Sequence, residues 1–410
     1  MRRKHRRLAL SVAATALAAA TTHATPPTSV DVAAADNAFG FRLLGAVQKK
    51  APTDNVVLSP VSAALDLAMA LNGAAGETRQ QMLAALSLGG SDIGAINTAN
   101  AQLIKVIRTP TNSVTLSVAD SLWVDNRRVM LRPDYVKRMQ EAYDAEIDAL
   151  DFSDPGAAAR INGWTSKQTQ GRIPKVIDRI DPADLALLLN AVYFKGQWTH
   201  KFDKAQTQQR DFTLASGAVK PVARMAQSGH FDYFETPDLQ AIRLPFGTGD
   251  LVMEILLPAK SSSLSALEAQ LTPEHWTAWR TQHSSRSGRI ELPRFELKSS
   301  YHLNEPLQAL GMVRAFHASG PDAAQLTEML SPKQGTAGHF FISSVLQSTY
   351  WKVDEEGSEA AAVTTIGVRA ALMRPEEPFQ MIVDRPFLGA IEDRRSGALL
   401  FVGAIYDPTG

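Results

Sequence analysis

An α+β fold in a single domain follows from three features of this sequence. Helical periodicity is concentrated near its start, apolar strand-like runs fill the remainder, and no linker separates the two. Asp36 to Gln48 sets Phe39, Leu43 and Val47 at four-residue steps, which makes one apolar helix face. Ser62 is placed to cap a second helix over Ala63 to Leu71, with Gly73 just past its end. Val114 to Val124, Leu187 to Phe194, Leu251 to Leu257, Ile290 to Leu297 and Leu399 to Ile405 are rich in Val, Ile, Leu and Phe, and are expected to be strands. Several are apolar throughout, the pattern of strands covered on both faces. No repeat of roughly 20 to 50 residues is present.

Composition removes several function classes. The chain has 410 residues with 42 basic and 42 acidic groups, but Arg2, Arg3, Lys4, Arg6 and Arg7 all lie in the first 24. Without that segment the net charge is about −5. A mildly acidic chain with scattered charge argues against nucleic acid as the main partner, because phosphate binding needs a basic patch. An apolar content of 45% excludes general disorder. With no cysteine, disulfides, thiolate zinc sites, iron–sulfur clusters, a Cys nucleophile and a lipoprotein anchor are all absent.

Residues 1–24 read as an export signal: a basic start, the apolar run Leu8 to Ala20, then small residues ahead of Pro26. Thr22-His23-Ala24 fits cleavage after Ala24, and a cut near Ala20 fits nearly as well. The Arg6-Arg7-Leu8 sequence leaves twin-arginine and Sec export both open. No later apolar stretch approaches the length of a membrane span, so residues 25–410 are expected to form a domain secreted or held in a periplasm, without a membrane partner.

Motifs for catalysis are lacking. Of His200, His230, His275, His283, His302, His317 and His339, no two are closer than eight residues, so no local metal-ligand pattern exists. Gly247-Thr248-Gly249-Asp250 begins like a phosphate loop but lacks the third glycine, and a turn between strands explains it better. There is no Walker lysine and no GxSxG elbow. Glu376-Glu377 and Asp354-Glu355-Glu356 read as solvated carboxylates. A Ser-His-Asp site assembled from distant residues stays open. No catalytic residue, metal or cofactor is expected, and the chain is not expected to be an enzyme.

One segment is unlike ordinary core. After Asp354-Glu355-Glu356 comes Gly357, whose backbone freedom suits a hinge. Ser358 to Val368 then carries one charge, Glu359, among small or β-branched residues. As a strand it would turn Ser358, Ala360, Ala362 and Thr364 to one side, all small and uncharged, and Glu359 and Ala361 to the other. Such a segment can enter a packed sheet late. A flexible Ala-rich linker or a short helix is the alternative.

These residues resemble the serpin family, and the resemblance extends over almost all of residues 25–410. EEGSEAAAVTT is similar to the hinge of inhibitory serpins, and VDRPFLGAIEDRRSGALLFVGAIYDP to the family's last strands. Asn55-Val56-Val57-Leu58-Ser59-Pro60-Val61-Ser62 resembles the motif opening its second helix, and Asn72-Gly73-Ala74-Ala75-Gly76-Glu77-Thr78 the turn after it. Asn190-Ala191-Val192-Tyr193-Phe194-Lys195-Gly196-Gln197-Trp198 resembles its central-sheet strand and the turn beyond. Each motif is short, but their order and spacing together are specific.

The resemblance implies three β-sheets, eight or nine helices and an exposed reactive loop at about residues 355–378. A target serine protease would attack that loop and form an acyl-enzyme, and the freed hinge would insert into the main sheet. It assigns Ser59, Ser62, Asn190 and Gln347 to the shutter under the inserting strand, and Trp198 to the breach where insertion starts. Gln347 is a departure, since the family usually has a His there, and Gln cannot titrate near neutral pH. Asp322-Ala323-Ala324 stands where Asp-Phe-Ser is common, and the loop is about four residues longer than usual. Family spacing puts the scissile bond at Ala371–Leu372, suited to an elastase-like pocket. Leu372 or Met373 would attract chymotrypsin-like or subtilisin-like enzymes, and Arg369 or Arg374 trypsin-like ones. The expected protein is a monomeric inhibitor of serine proteases. A non-inhibitory carrier is the alternative.

Overall fold

The computed structural model describes residues 29–109, 114–333, 340–356 and 377–410. Among them are nine α-helices and three sheets of nine, five and two strands, the mixed single-domain architecture expected. The hinge from Gly357 through Ser358, Glu359, Ala360, Ala361, Ala362 and Thr364 lies outside the described residues. So do Arg369, Ala371, Leu372, Met373 and Arg374, and residues 1–24.

Helices lead the chain, as their periodicity implied. The first spans Ser29–Gln48 and buries Phe39, Leu43 and Val47. The second starts earlier than expected, at Pro60, and every residue of Pro60–Gly73 is buried. Proline at the first helical position needs no N–H partner and has the right φ, so Ser59, not Ser62, is the cap residue. No side-chain cap bond forms, and Ser62 is left free inside the helix for another task. Gly73 ends the helix instead of following it. A Cβ there would overlap the Met329 side chain, so close packing calls for the glycine.

The five-stranded sheet runs Phe295–His302, Ser344–Val353, Ala186–Gly196, Val114–Asp125 and Glu146–Leu150 in spatial order. Its inner face packs on Pro60–Gly73 and on the nine-stranded sheet. Phe194 meets Phe401 edge-on at 6.2 Å and Trp351 meets the same ring at 5.7 Å, which joins the two sheets. Leu251–Pro258 and Leu399–Ile405 are buried along their whole length, in keeping with their unbroken apolar sequences. Gly247 and Gly249, at φ 52° and 92°, turn the chain between Leu239–Phe246 and Leu251–Pro258.

One expected strand proves to be two. Ile290 to Leu297 divides into Ser284–Pro293, in the nine-stranded sheet, and Phe295–His302, at the edge of the five-stranded one. The chain changes sheets at Pro293-Arg294, where proline cannot extend a ladder and the Arg294 N–H bonds Ala223 O at 2.8 Å instead. Apolar content alone gives no sign of such a change.

In the same region Gly288 lies against Phe379, whose ring stacks on Tyr233 at 3.8 Å and 3°. A Cβ at Gly288 would overlap the rigid ring, so Gly288→Ala is expected to lower stability by about 1–3 kcal/mol. Urea unfolding would measure it, and an unchanged midpoint would show that the Phe379 strand gives way freely.

Candidate site at the seam of the central sheet

Ser344–Val353 and Ala186–Gly196 run parallel, registered from Ser344↔Leu187 to Trp351↔Phe194. Their outer neighbours, Phe295–His302 and Val114–Asp125, both pair antiparallel to them. The seam is therefore a slanted parallel ladder flanked directly by two antiparallel ones, and parallel pairing is the weaker per residue.

Beneath the seam, side chains stitch it from the inner face. Gln347 and Asn190 face each other in register, and the Gln347 Nε2 donates to Asn190 Oδ1 at 2.8 Å. The same amide grips the entry to the second helix. Ser59 N donates to Gln347 Oε1 at 3.0 Å, and Gln347 Nε2 donates to Ser59 O at 3.0 Å. Asn190 Nδ2 donates to Asp120 Oδ1 at 2.5 Å and to Ser62 Oγ. The residues assigned to the shutter on sequence thus form one buried network, in which Gln347 uses both donors and acceptor where histidine would titrate. Ser62 is one of its members and not a helix cap.

Asp120 was not singled out from sequence, although a lone acid in the apolar run Val114 to Val124 is itself a signal. Asp66, the one acid in the second helix, was missed for the same reason. Both are buried, with Asp120 Oδ2 and both Asp66 carboxylate oxygens lacking hydrogen-bond partners. Burial pushes Asp120 up to about 6, against the lowering effect of the Asn190 bond, the Arg108 charge and the Ser62 bond. Burial, and then the Asp120 charge, holds Asp66 well above the usual carboxylate range. Two carboxyls in one dry space favour at least one proton between them.

A second group of contacts closes the end of the seam next to the hinge. Trp198 stacks on Phe246 at 4.3 Å and 13°, and its Nε1 donates to Asp354 O at 2.8 Å. Phe202 N donates to Glu355 O at 3.1 Å. Glu355, 3% exposed, accepts from Thr207 Oγ1 at 2.6 Å and faces Arg294 Nε at 3.5 Å. Glu356 is partly exposed and pairs with Lys204, which holds its carboxyl below the usual range. Of the three acids read as a solvated cluster, Glu355 is in fact buried, because Thr207 and Arg294 converge on it from distant parts of the chain. No group of three or more His, Asp or Glu among the described residues could hold a metal ion.

Two measurements bear on this network. Gln347→Ala strands Ser59 N–H, Ser59 C=O and Asn190 Oδ1 without partners, at about 1–3 kcal/mol for each buried group. A melting temperature within a degree of the parent would show that the network relaxes around the loss. Asp120 also implies a pH dependence with a definite sign. Its folded pKa lies above the unfolded value of about 3.9, so its stabilising contribution is complete below that value and is lost as pH rises through about 6. Melting temperatures between about pH 4 and pH 6.5 are expected to decline more steeply for the parent than for Asp120→Asn; equal slopes would remove Asp120 as the cause.

Comparison with known proteins accords with this geometry. A family model described as Serpin (serine protease inhibitor) matches residues 34–408. Leukocyte elastase inhibitor of Bos taurus is 34% identical over 390 residues, which cover 92% of this chain and 99% of that protein. Iripin-2 of Ixodes ricinus is 32% identical over 381 residues, covering 90% and 92%. The crystal structure of Tengpin, a thermophilic serpin, in the native state has a TM-score of 0.80 at 29% identity, over 92% of this chain and 94% of that one. The chain therefore belongs to the serpin family, a family of protease inhibitors and related proteins and not of enzymes.

Proposed function

We propose that this serpin traps a serine protease by offering its reactive loop, at about residues 355–378, as substrate and then inserting its hinge into the seam. The observation that carries the reading is the direction of the strands. Ser344–Val353 leads straight into Glu355, Glu356 and the hinge, and it lies parallel to Ala186–Gly196. A segment turning back at Gly357 would run antiparallel to both, and so exchange one parallel ladder for two antiparallel ones. Roughly ten inserted residues add about as many backbone hydrogen bonds, on the order of 10 kcal/mol before packing. Small hinge residues Ser358, Ala360, Ala362 and Thr364 suit the inner face, and a charge there would cost several kcal/mol.

Chemically the trapped state needs only an uncleaved ester. The protease serine attacks the carbonyl carbon of the scissile bond, the amine of the following residue leaves, and the acyl-enzyme persists if insertion outpaces hydrolysis. Ala371–Leu372 is the bond favoured by spacing, and alanine before the cut suits an elastase-like pocket. The resemblance to leukocyte elastase inhibitor supports the same class. In this reading Trp198 and Glu355 guard the entrance, and Gln347 and Asn190 guard the floor. Removal of residues 1–24 during export would deliver the inhibitor to proteases outside the cytoplasm.

The test is incubation with pancreatic elastase, chymotrypsin, subtilisin and trypsin, followed by denaturing gels and intact-mass measurement. A band at the summed mass is expected with elastase, together with a released C-terminal peptide beginning at Leu372. Cleavage by all four enzymes with no such band would reject trapping.

A further inference from the structure

On its outer face the seam is crossed by a pair of tyrosines. Tyr350 and Tyr193 are register partners, and their rings lie 5.7 Å apart at 35°. Two cations from other parts of the chain close on Tyr350. Lys298 Nζ, on the neighbouring strand Phe295–His302, stands 5.6 Å from the ring centre, and the Arg172 guanidinium stands 5.7 Å from it. Arg172 belongs to the connection between the helix Ala157–Gln168 and the strand Ala186–Gly196. That connection is well fixed. Gln170 and Gly171 take left-handed backbone at φ 50° and 77°, and Ile173 N donates to Thr169 Oγ1 at 3.0 Å. Ile173 then joins Tyr193 and Tyr350 in one small buried cluster, with Val176 against it.

The position of the pair along the seam matters more than its strength. Tyr350↔Tyr193 is the last rung but one at the hinge end, three residues beyond Gln347↔Asn190. A strand entering from Gly357 meets it before it reaches the inner amide network. Inserting a strand adds about 4.8 Å to the separation of the two backbones, which takes the rings beyond the roughly 4.5–7 Å over which aromatic pairs attract. Arg172 and Ile173, lying over the junction, have to be displaced as well.

We propose that Tyr193, Tyr350, Arg172 and Lys298 form a brake on strand entry, an aromatic and cationic clasp that closes the hinge end of the seam and sets how fast the sheet opens. The proposal rests on the insertion reading given above. The Tyr193–Tyr350 pair and the Arg172 contact exist only while the two strands are adjacent, so they raise the barrier to opening and add nothing to the inserted state; Lys298, the register partner of Tyr350 on Phe295–His302, moves with that strand and supports the ring from behind. Tyr350→Val removes both the ring pair and the two cation contacts, whereas Arg172→Ala removes one contact. Tyr350→Phe keeps the ring.

The experiment uses the full-length protein and a synthetic peptide copying residues 358–369, whose uptake is followed by native gel shift and by fluorescence of a peptide label. Uptake by Tyr350→Val is expected to be about three- to tenfold faster than by the parent, with Arg172→Ala between them and Tyr350→Phe close to the parent. Gly288→Ala, which strains the molecule away from the seam, is expected to leave uptake unchanged. After loop cleavage the melting temperature of Arg172→Ala, which loses only a contact of the closed seam, should equal that of the cleaved parent. Parent-like uptake by Tyr350→Val, or acceleration by Gly288→Ala of the same size, would overturn the brake while leaving insertion intact. A parent that takes up no peptide at all would overturn the insertion reading, and the brake with it.

Discussion

Everything in this molecule depends on one weak junction, the parallel pairing of Ser344–Val353 with Ala186–Gly196. The strands directly on either side are antiparallel to this pair, so a strand lying between the two would be antiparallel to both, as those flanking strands are. A parallel pair normally needs a long crossover, and here the connection between the two strands passes through much of the nine-stranded sheet. The neighbouring parts of the fold can therefore stay in place while these two strands separate. That topology makes a late-entering strand sterically conceivable before any side chain is considered.

Side chains then hold closed what the backbone holds weakly. The inner face uses polar groups, since Gln347, Asn190, Ser62 and the Oδ1 of Asp120 bond to one another in a dry interior where each would be costly alone. On the outer face the contacts are aromatic, between Tyr193 and Tyr350. At the hinge end the indole of Trp198 and the carboxylate of Glu355 hold the chain that leaves the sheet. The acids bring a complication of their own: Asp66 and Asp120 share buried space without enough donors, which places a proton-dependent weakness directly under the seam.

Much of this was legible in the sequence, for reasons that differ from element to element. Leu251–Pro258 and Leu399–Ile405 were visible because burial on both faces leaves an unbroken apolar run. The hinge reading falls outside the described residues and rests on sequence, because a strand that must enter a finished sheet can carry only small inward residues. Ser59, Ser62, Asn190 and Gln347 could be named only through family resemblance, because their partnership depends on contacts spanning up to 288 residues. The start of the second helix was misplaced because Pro60 was read as part of a motif and not as a first helical residue. The clasp of Tyr193, Tyr350, Arg172 and Lys298 was not legible at all. Four residues on three strands and a loop come together only through register, which no local pattern records.

Magnitudes decide what such contacts can do in the proposed mechanism. Two new antiparallel ladders of roughly ten residues are worth on the order of 10 kcal/mol, whereas each hydrogen bond at the seam or hinge is worth about 0.5–1.5 kcal/mol and the aromatic pair about as much. No single clamp can therefore reverse the preference for the inserted form. What the clamps can do is appear in the barrier, because each must be released before the entering strand can pass it, those at the hinge end first. A loss of about 1.4 kcal/mol there changes a rate tenfold and leaves the final balance nearly untouched. Trapping a protease is a contest between insertion and ester hydrolysis, so a tenfold change in rate determines whether the chain behaves as inhibitor or substrate. The residues that line the seam are thus better understood as timing elements than as sources of stability.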